Sequence, residues 1–370
     1  MSDVLILSSV EWDAVRQRHH AWAERFAAAG RRVFFVENTG FRAPGLRDAA
    51  RVGRKVAGLL APKAARRLNP VPKGVVIVNP LVLPPTGGAL RAVNDAVLVP
   101  RLAAKLADLG LGPAPLAICY LPTATTLSLL DAVKPSKVVY DCVDNFAGHP
   151  SPPLDLRTTE DALLARAALV TVTSPGLFHR MNARHRRVLE LHHGVSERFF
   201  LGAAPAGFSR ACYFGTLWSA LDYAAVAALA EAGVEVLMAG PRREAPPPLP
   251  KGVTFRDAVP HAQLPRLLED RTVLLLPYAK TAYNEGVAPA KLYECLATGR
   301  PVLASPLPSL AALGGVLDFC PRPSDWPAAV ASLPALEKDG ERRAARIAMA
   351  RAHSEEKAFA AFARAIEDAP

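Results

Sequence analysis

No stretch of this chain approaches the roughly 20 apolar residues that a membrane span requires. Its longest apolar runs are strand-sized, such as Val4–Leu7 and Val273–Leu276. Cysteine is scarce: Cys119, Cys142, Cys212, Cys295 and Cys320 are an odd number, widely spaced and without a Cys-x-x-Cys pair. That excludes a disulfide framework and a zinc cluster, and suits small buried thiols in a reducing, cytoplasmic setting. No His/Cys/Asp/Glu group has metal-ligand spacing, so no protein-held metal and no tightly bound cofactor is expected. The start, Met1-Ser2-Asp3, lacks a basic leader and a cleavage site, so no signal peptide is expected. Acidic residues are missing where basic ones crowd. From Phe41 to Lys73 stand Arg42, Arg47, Arg51, Arg54, Lys55, Lys63, Arg66, Arg67 and Lys73 against the single acid Asp48. Aromatics are missing there too, apart from Phe41, which argues against nucleic acid as the partner.

The 370 residues, 51% of them hydrophobic, are ample for two packed domains. In the first half, apolar runs at Val4–Ser9, Arg32–Glu37, Gly74–Asn79, Leu116–Tyr120, Lys137–Cys142, Leu169–Thr173 and Val188–His192 alternate with helical stretches such as Val15–Ala29 and Arg101–Leu109. Near-continuous apolar strands separated by helices predict a parallel sheet covered on both faces. The pattern restarts after Gly202, Pro205 and Gly207. Strands are expected at Ala211–Gly215, Glu235–Ala239, Val253–Phe255, Val273–Pro277 and Val302–Ser305. The intervening helices are Tyr223–Ala232, Leu264–Glu269 and Ala290–Thr298. The tract Arg342–Ile366, free of Gly and Pro, predicts a long helix. The fold class is therefore α/β, with two Rossmann-like doubly wound domains. The expected division is 1–198, 208–345 and a terminal helical segment 346–370 packing back on the first domain. Ligands of such sheets sit beyond the carboxyl ends of the strands, here in a cleft between the domains.

Two segments carry chemistry. The first runs from Pro277-Tyr278 to Pro289-Ala290-Lys291-Leu292-Tyr293-Glu294 and on to Gly299-Arg300-Pro301-Val302. Pro289 suits a helix start and Gly299 a helix end. The free N–H groups and positive dipole end of such a start would seat a diphosphate. Lys291 adds a point charge there, and Glu294, three residues on, presents an acceptor for ribose hydroxyls. The second is Val138-Val139-Tyr140-Asp141-Cys142-Val143-Asp144, which places two carboxylates at the end of an apolar strand. A partly desolvated carboxylate there suits a general base.

The Lys-Leu-Tyr-Glu helix followed by Gly-Arg-Pro-Val resembles the nucleotide-binding signature of GT-B glycosyltransferases. The likeness is to the group 1 (GT4-like) enzymes and to xanthan-type glucuronosyltransferases. Phe214-Gly215-Thr216-Leu217 looks like the glycine turn that opens their second domain, Ala239-Gly240-Pro241 like their strand-end Gly-Pro, and Leu191-His192-His193-Gly194-Val195 like their His-Asn-Gly-Val tract. The resemblance implies a GT-B fold and a donor site made by Gly215, Thr216, Gly240, Val259, Tyr278, Ala290, Lys291, Leu292 and Glu294. It implies Val259 for the base, Lys291 for phosphate, Glu294 for ribose, Glu285 for the sugar and Asp144 as the base that accepts the proton. It also implies no metal held by the protein. With Asp144 as base, inversion follows; with Glu285 and the donor phosphate dominant, retention follows. The sequence departs from the group 1 pattern in placing eight residues, not seven, between Glu285 and Glu294, and in Trp218-Ser219 where an Arg and a Lys often stand.

The expected activity is transfer of a sugar from a nucleoside-diphosphate donor, UDP above all, to a lipid-linked or polysaccharide acceptor. Trp12, Arg16 and Arg18, after the first strand, are expected acceptor contacts. A helix over Leu46–Ala61 would carry Arg47, Arg51, Arg54 and Lys55 on one face, suited to an anionic membrane surface. The protein would then sit at the inner face of the cytoplasmic membrane. A sugar-nucleotide epimerase of the same fold and a catalytically silent nucleotide-sugar binder remain open alternatives.

Overall fold

A computed structural model of the chain describes residues 2–40, 68–83, 88–148, 152–203 and 205–370. The tract of Arg47, Arg51, Arg54 and Lys55, with the helix expected around it, lies outside these residues. The described chain divides into two compact units. One comprises Met1–Thr171, Met181–Leu189 and Ala365–Pro370; the other comprises Val172–Arg180 and Glu190–Arg364.

The first unit is built on a seven-stranded sheet: β1 Val4–Leu7, β2 Val33–Val36, β3 Val75–Val78, β4 Leu116–Cys119, β5 Lys137–Cys142, β6 Leu169–Val172 and β7 Val188–Glu190, in the order β3-β2-β1-β4-β5-β6-β7. β1 lies between β2 and β4, parallel to both, with Val4 opposite Val33 and Leu116. All four residues of β1, β2 and β4 are buried, which is why these runs are apolar without alternation. The last residues of the chain join this unit. Lys137 donates its ammonium to the carbonyls of Ile366 and Ala369, satisfying a helix end with a cation.

The second unit repeats the plan with β8 Arg210–Phe214, β9 Glu235–Ala239, β10 Val253–Arg256, β11 Val273–Leu276, β12 Val302–Ala304 and β13 Asp318–Phe319, in the order β10-β9-β8-β11-β12-β13. Each sheet reverses its winding beside its first strand, between β1 and β4 and between β8 and β11. Doubly wound sheets bind ligands at that reversal.

The helical tract at the carboxyl end is not continuous. It breaks into Glu341–Ala352 and Glu355–Glu367. At the break Val195 takes up strand-like pairing with Ser354, donating to His353 O at 3.0 Å and accepting from Glu355 N at 2.9 Å. The neighbouring Gly194 permits the approach, since a Cβ there would lie 2.4 Å from Glu355 Cα. The break is a tertiary contact and leaves no Gly or Pro in the helical sequence to mark it. Among the described residues no helix is long and apolar enough to cross a membrane.

Candidate active site

In the second unit, β8 ends at Phe214 and the chain turns at Gly215, with φ +138°. β9 ends beside it at Gly240, with φ +147°. A Cβ on Gly240 would stand 1.9 Å from Gly215 O, so only a residue without a side chain fits between these two turns. A Cβ on Gly215 would lie 2.7 Å from Lys291 Cε. The glycine turn thus clears the ground on which the lysine stem lies. Thr216 continues the turn, and its carbonyl accepts from Tyr213 Oη at 3.1 Å.

Lys291 Nζ donates to Tyr278 Oη at 2.9 Å and lies 4.9 Å over the Tyr213 ring and 5.4 Å over the Tyr278 ring. Tyr278 follows β11, on the other side of the reversal from Gly215, so strand ends and lysine meet at the topological switch point. Burial works against the ammonium, and the two tyrosine side chains beside it outweigh this, so its pKa is raised. Burial likewise pushes the Tyr213 phenol up. The group is therefore a fixed positive charge. Among the described residues it has no carboxylate partner; its neighbours are neutral.

The helix beyond it is shorter than expected. It spans Leu292–Ala297, while Ala290 and Lys291 form the turn before it. Ala290 is exposed and Leu292 buried against the core. Pro289 is buried but stands ahead of the helix, because the chain is still making its turn there. Glu294 is half-buried and accepts from His261 Nε2 at 2.6 Å. Val259 packs on the core from the loop before His261 and, with Leu237, Leu267, Arg256, Arg266, Asp270 and Arg271, lines a pocket of about 540 Å³.

Glu285 ends a one-turn helix, Ala282–Glu285, and is exposed. Its platform is held by two residues that sequence reasoning passed over. Thr281 caps it, accepting from Asn284 N at 3.1 Å. The buried Asn284 donates to the carbonyls of Ala220 and Ala279 at 2.9 and 2.7 Å. Tyr213 and His261 were also passed over. Tyr213 reads as one more residue of an apolar strand, and His261 lies outside any periodic pattern. Only the place of Tyr213 near the end of its strand was there to be noticed.

In the first unit, Asp144 lies half-buried just beyond β5, in a turn closed by Phe146 N donating to Asp144 O at 3.0 Å. Asp141 is buried within β5 and forms an ion pair with Arg18, Nε to Oδ2 at 2.9 Å, while Thr171 donates its hydroxyl to Oδ1 at 2.6 Å.

This corrects the expected acceptor contacts. Arg18 is not turned outward: its side chain is 2% exposed, and the buried carboxylate of Asp141 holds it. Trp12 is wholly buried, edge-on to Phe35 at 4.9 Å, with its indole N–H donated to Asn69 O, so it has no face for a sugar ring. Arg16 is bound by Glu24 at 2.7 Å. The loop turns inward because its polar groups find partners in their own unit: Glu37 takes Trp12 N, and His20 Nε2 donates to Trp12 O at 3.0 Å. Among the described residues, no three His, Cys, Asp or Glu side chains gather as a metal site.

No family model matches this sequence, and no curated protein matches it. Solved structures match its fold. HepE from Anabaena, in complex with UDP and glucose, superposes with a TM-score of 0.69 at 13% identity, over 99% of this chain and 100% of that one. An alpha-glucosyltransferase in complex with UDP and a DNA 13-mer containing an HMU base gives 0.61 at 11% identity, over 100% of each chain. Arabidopsis thaliana UGT89C1, complexed with UDP-L-rhamnose, gives 0.54 at 12% identity, over 98% of this chain and 99% of that one. At such identities the likeness speaks to architecture, and the architecture is GT-B, the two-Rossmann fold of these glycosyltransferases.

Proposed function

We propose that this protein is a glycosyltransferase that takes a sugar from a UDP-type donor and adds it to a lipid-linked or polysaccharide acceptor in surface-glycan assembly. One observation carries the reading: Lys291 holds a fixed positive charge, with neutral neighbours only, at the switch point of the second sheet. Such a charge calls for an anion, and a diphosphate bound there would be stabilised as the glycosidic bond breaks and negative charge grows on the leaving group. The structural neighbours that hold UDP or a UDP-sugar support the choice of nucleotide.

The remaining roles follow the chemistry of the residues. Glu294 accepts from ribose, the loop at Val259 meets the base beside its pocket, and Glu285 receives sugar hydroxyls. Asp144 takes the proton from the attacking acceptor hydroxyl. Its position at a strand end, half out of water, suits a base. The basic tract from Arg42 to Lys73, including Arg47, Arg51, Arg54 and Lys55, faces an anionic membrane at the cytoplasmic side, where lipid-linked acceptors are held.

A thermal-shift series with UDP, GDP, ADP and dTDP tests the donor. UDP should raise the melting temperature most, and no shift with any of the four would sink the reading. Asp144→Asn should lower release of UDP from a UDP-sugar panel, measured with membrane extracts as acceptor, by about 10²- to 10⁴-fold while UDP binding stays intact. Undiminished turnover in that variant would remove Asp144 as the base.

A further inference from the structure

Glu294 does not stand alone. Its Oε1 lies 2.6 Å from Nε2 of His261, and the two side chains are only 15% and 10% exposed. The partners come from different elements. Glu294 sits in the helix Leu292–Ala297, whereas His261 opens the single 3-10 turn His261–Gln263 that follows the Val259 loop. A carboxylate has only acceptors, so Nε2 is the donor, and it carries its hydrogen in the neutral ring and the imidazolium alike. The imidazole is itself fixed. Its ring packs 5.1 Å from Phe199, which stacks at 6.4 Å on Phe214, the residue before Gly215. One carboxylate oxygen is thereby occupied and the plane of the group is set, while among the described residues Oε2 takes no hydrogen bond.

We infer that His261 is a positioning residue that orients Glu294 so that its second oxygen accepts from one hydroxyl of a bound ribose. The site thereby selects ribonucleotides over deoxyribonucleotides. The inference rests on the second unit being the donor site and adds to that reading the origin of its sugar selectivity. An unanchored glutamate must lose rotamer freedom on binding; one already held by a charge-assisted hydrogen bond does not. Recognition by a pre-set buried acceptor also penalises a ligand that lacks the matching hydroxyl, because the acceptor is left unpaired.

The test is calorimetric titration of the whole chain with UDP, 2′-deoxy-UDP and 3′-deoxy-UDP, which needs no acceptor. The unaltered protein should bind one of the deoxy nucleotides about tenfold more weakly than UDP. Glu294→Ala and His261→Ala should each bring that ratio close to one. His261→Gln, whose amide N–H can reach the same oxygen, should restore it. A ratio retained in His261→Ala, with only the melting temperature lowered, would show that the pair merely ties a turn to a helix, and would overturn the inference while leaving the donor site standing. A folded His261→Gln that fails to restore the ratio would overturn it equally, by assigning the effect to ring packing against Phe199. A ratio retained in Glu294→Ala removes the ribose role itself, and absence of UDP binding in the unaltered protein removes both readings together.

Discussion

Along the carboxyl ends of the first sheet's strands, one buried pair of charges is closed on itself. Arg18 and Asp141 pair with side chains 2% and 0% exposed, and Thr171 takes up the second carboxylate oxygen. Trp12, Asn69, His20 and Glu37 close the loop after β1 through their own hydrogen bonds. At the reversal of the second sheet, with the same strand order, two glycine turns open the backbone and a single ammonium stands among phenols. Equal topology has been filled in opposite ways. A self-neutralised cluster fixes a scaffold, because its charges have nothing left to offer a ligand. A charge without a counter-charge is tolerable only if neutral groups shield it until an anion arrives. The comparison shows that two sheets with the same winding can carry a closed ion pair in one and an ammonium without a carboxylate partner in the other.

Three experiments press on this contrast. The largest effect is expected in the scaffold. Asp141→Asn leaves the Arg18 charge buried without its partner and should destabilise the chain by about 3–5 kcal/mol in urea denaturation. UDP affinity should not change; a parallel loss of affinity would break the separation between the two regions. The next concerns His20, whose pKa is lowered to about 4, chiefly by burial. The folded chain holds this ring neutral, donating to Trp12 O from Nε2 and accepting Gln17 N at Nδ1, whereas the unfolded chain takes up a proton near pH 6.5. The stabilisation is complete above pH 6.5 and is lost as pH falls from there toward 4, by about 3 kcal/mol. Urea midpoints at pH 7 and pH 4.5 should differ less in His20→Gln than in the unaltered chain, and an equal difference in both would exonerate the ring. The smallest effect falls on the reversal of the second sheet. Lys291→Ala should weaken UDP by about 10²-fold, read by calorimetry, with little change in stability, since the ammonium has no ion pair to lose. Undiminished affinity would mean that this charge does not meet the diphosphate.

The strands were readable almost to the residue. β5 and β9 match their expected spans, most others are trimmed by one or two residues, β8 is shifted by one, β10 is one residue longer, and the two-residue β13 was not foreseen. Elements whose signal is local, an apolar run between turn residues, carry their own evidence. The helix was read as beginning near Pro289, yet it starts at Leu292, with Ala290 and Lys291 in the turn before it and Lys291 as its N-cap. The break at His353 depends on Val195, and Gly194 beside it was noted only for its motif. Trp12, Arg16 and Arg18 were expected at the acceptor because they follow a strand. Nothing near them in the chain reveals that Asp141 lies 123 residues away and Asn69 57 away, each already in place.

What the sequence determined alone is the alternation of strands and helices, the two doubly wound sheets and the short list of residues at strand ends. These follow from periodicity and from the conformational demands of Gly and Pro, which act over a few residues. Only the tertiary structure decided which partners those polar residues meet. A charge in a folded interior takes its meaning from whatever the rest of the chain brings within about 3 Å, and distance along the chain does not encode distance in space.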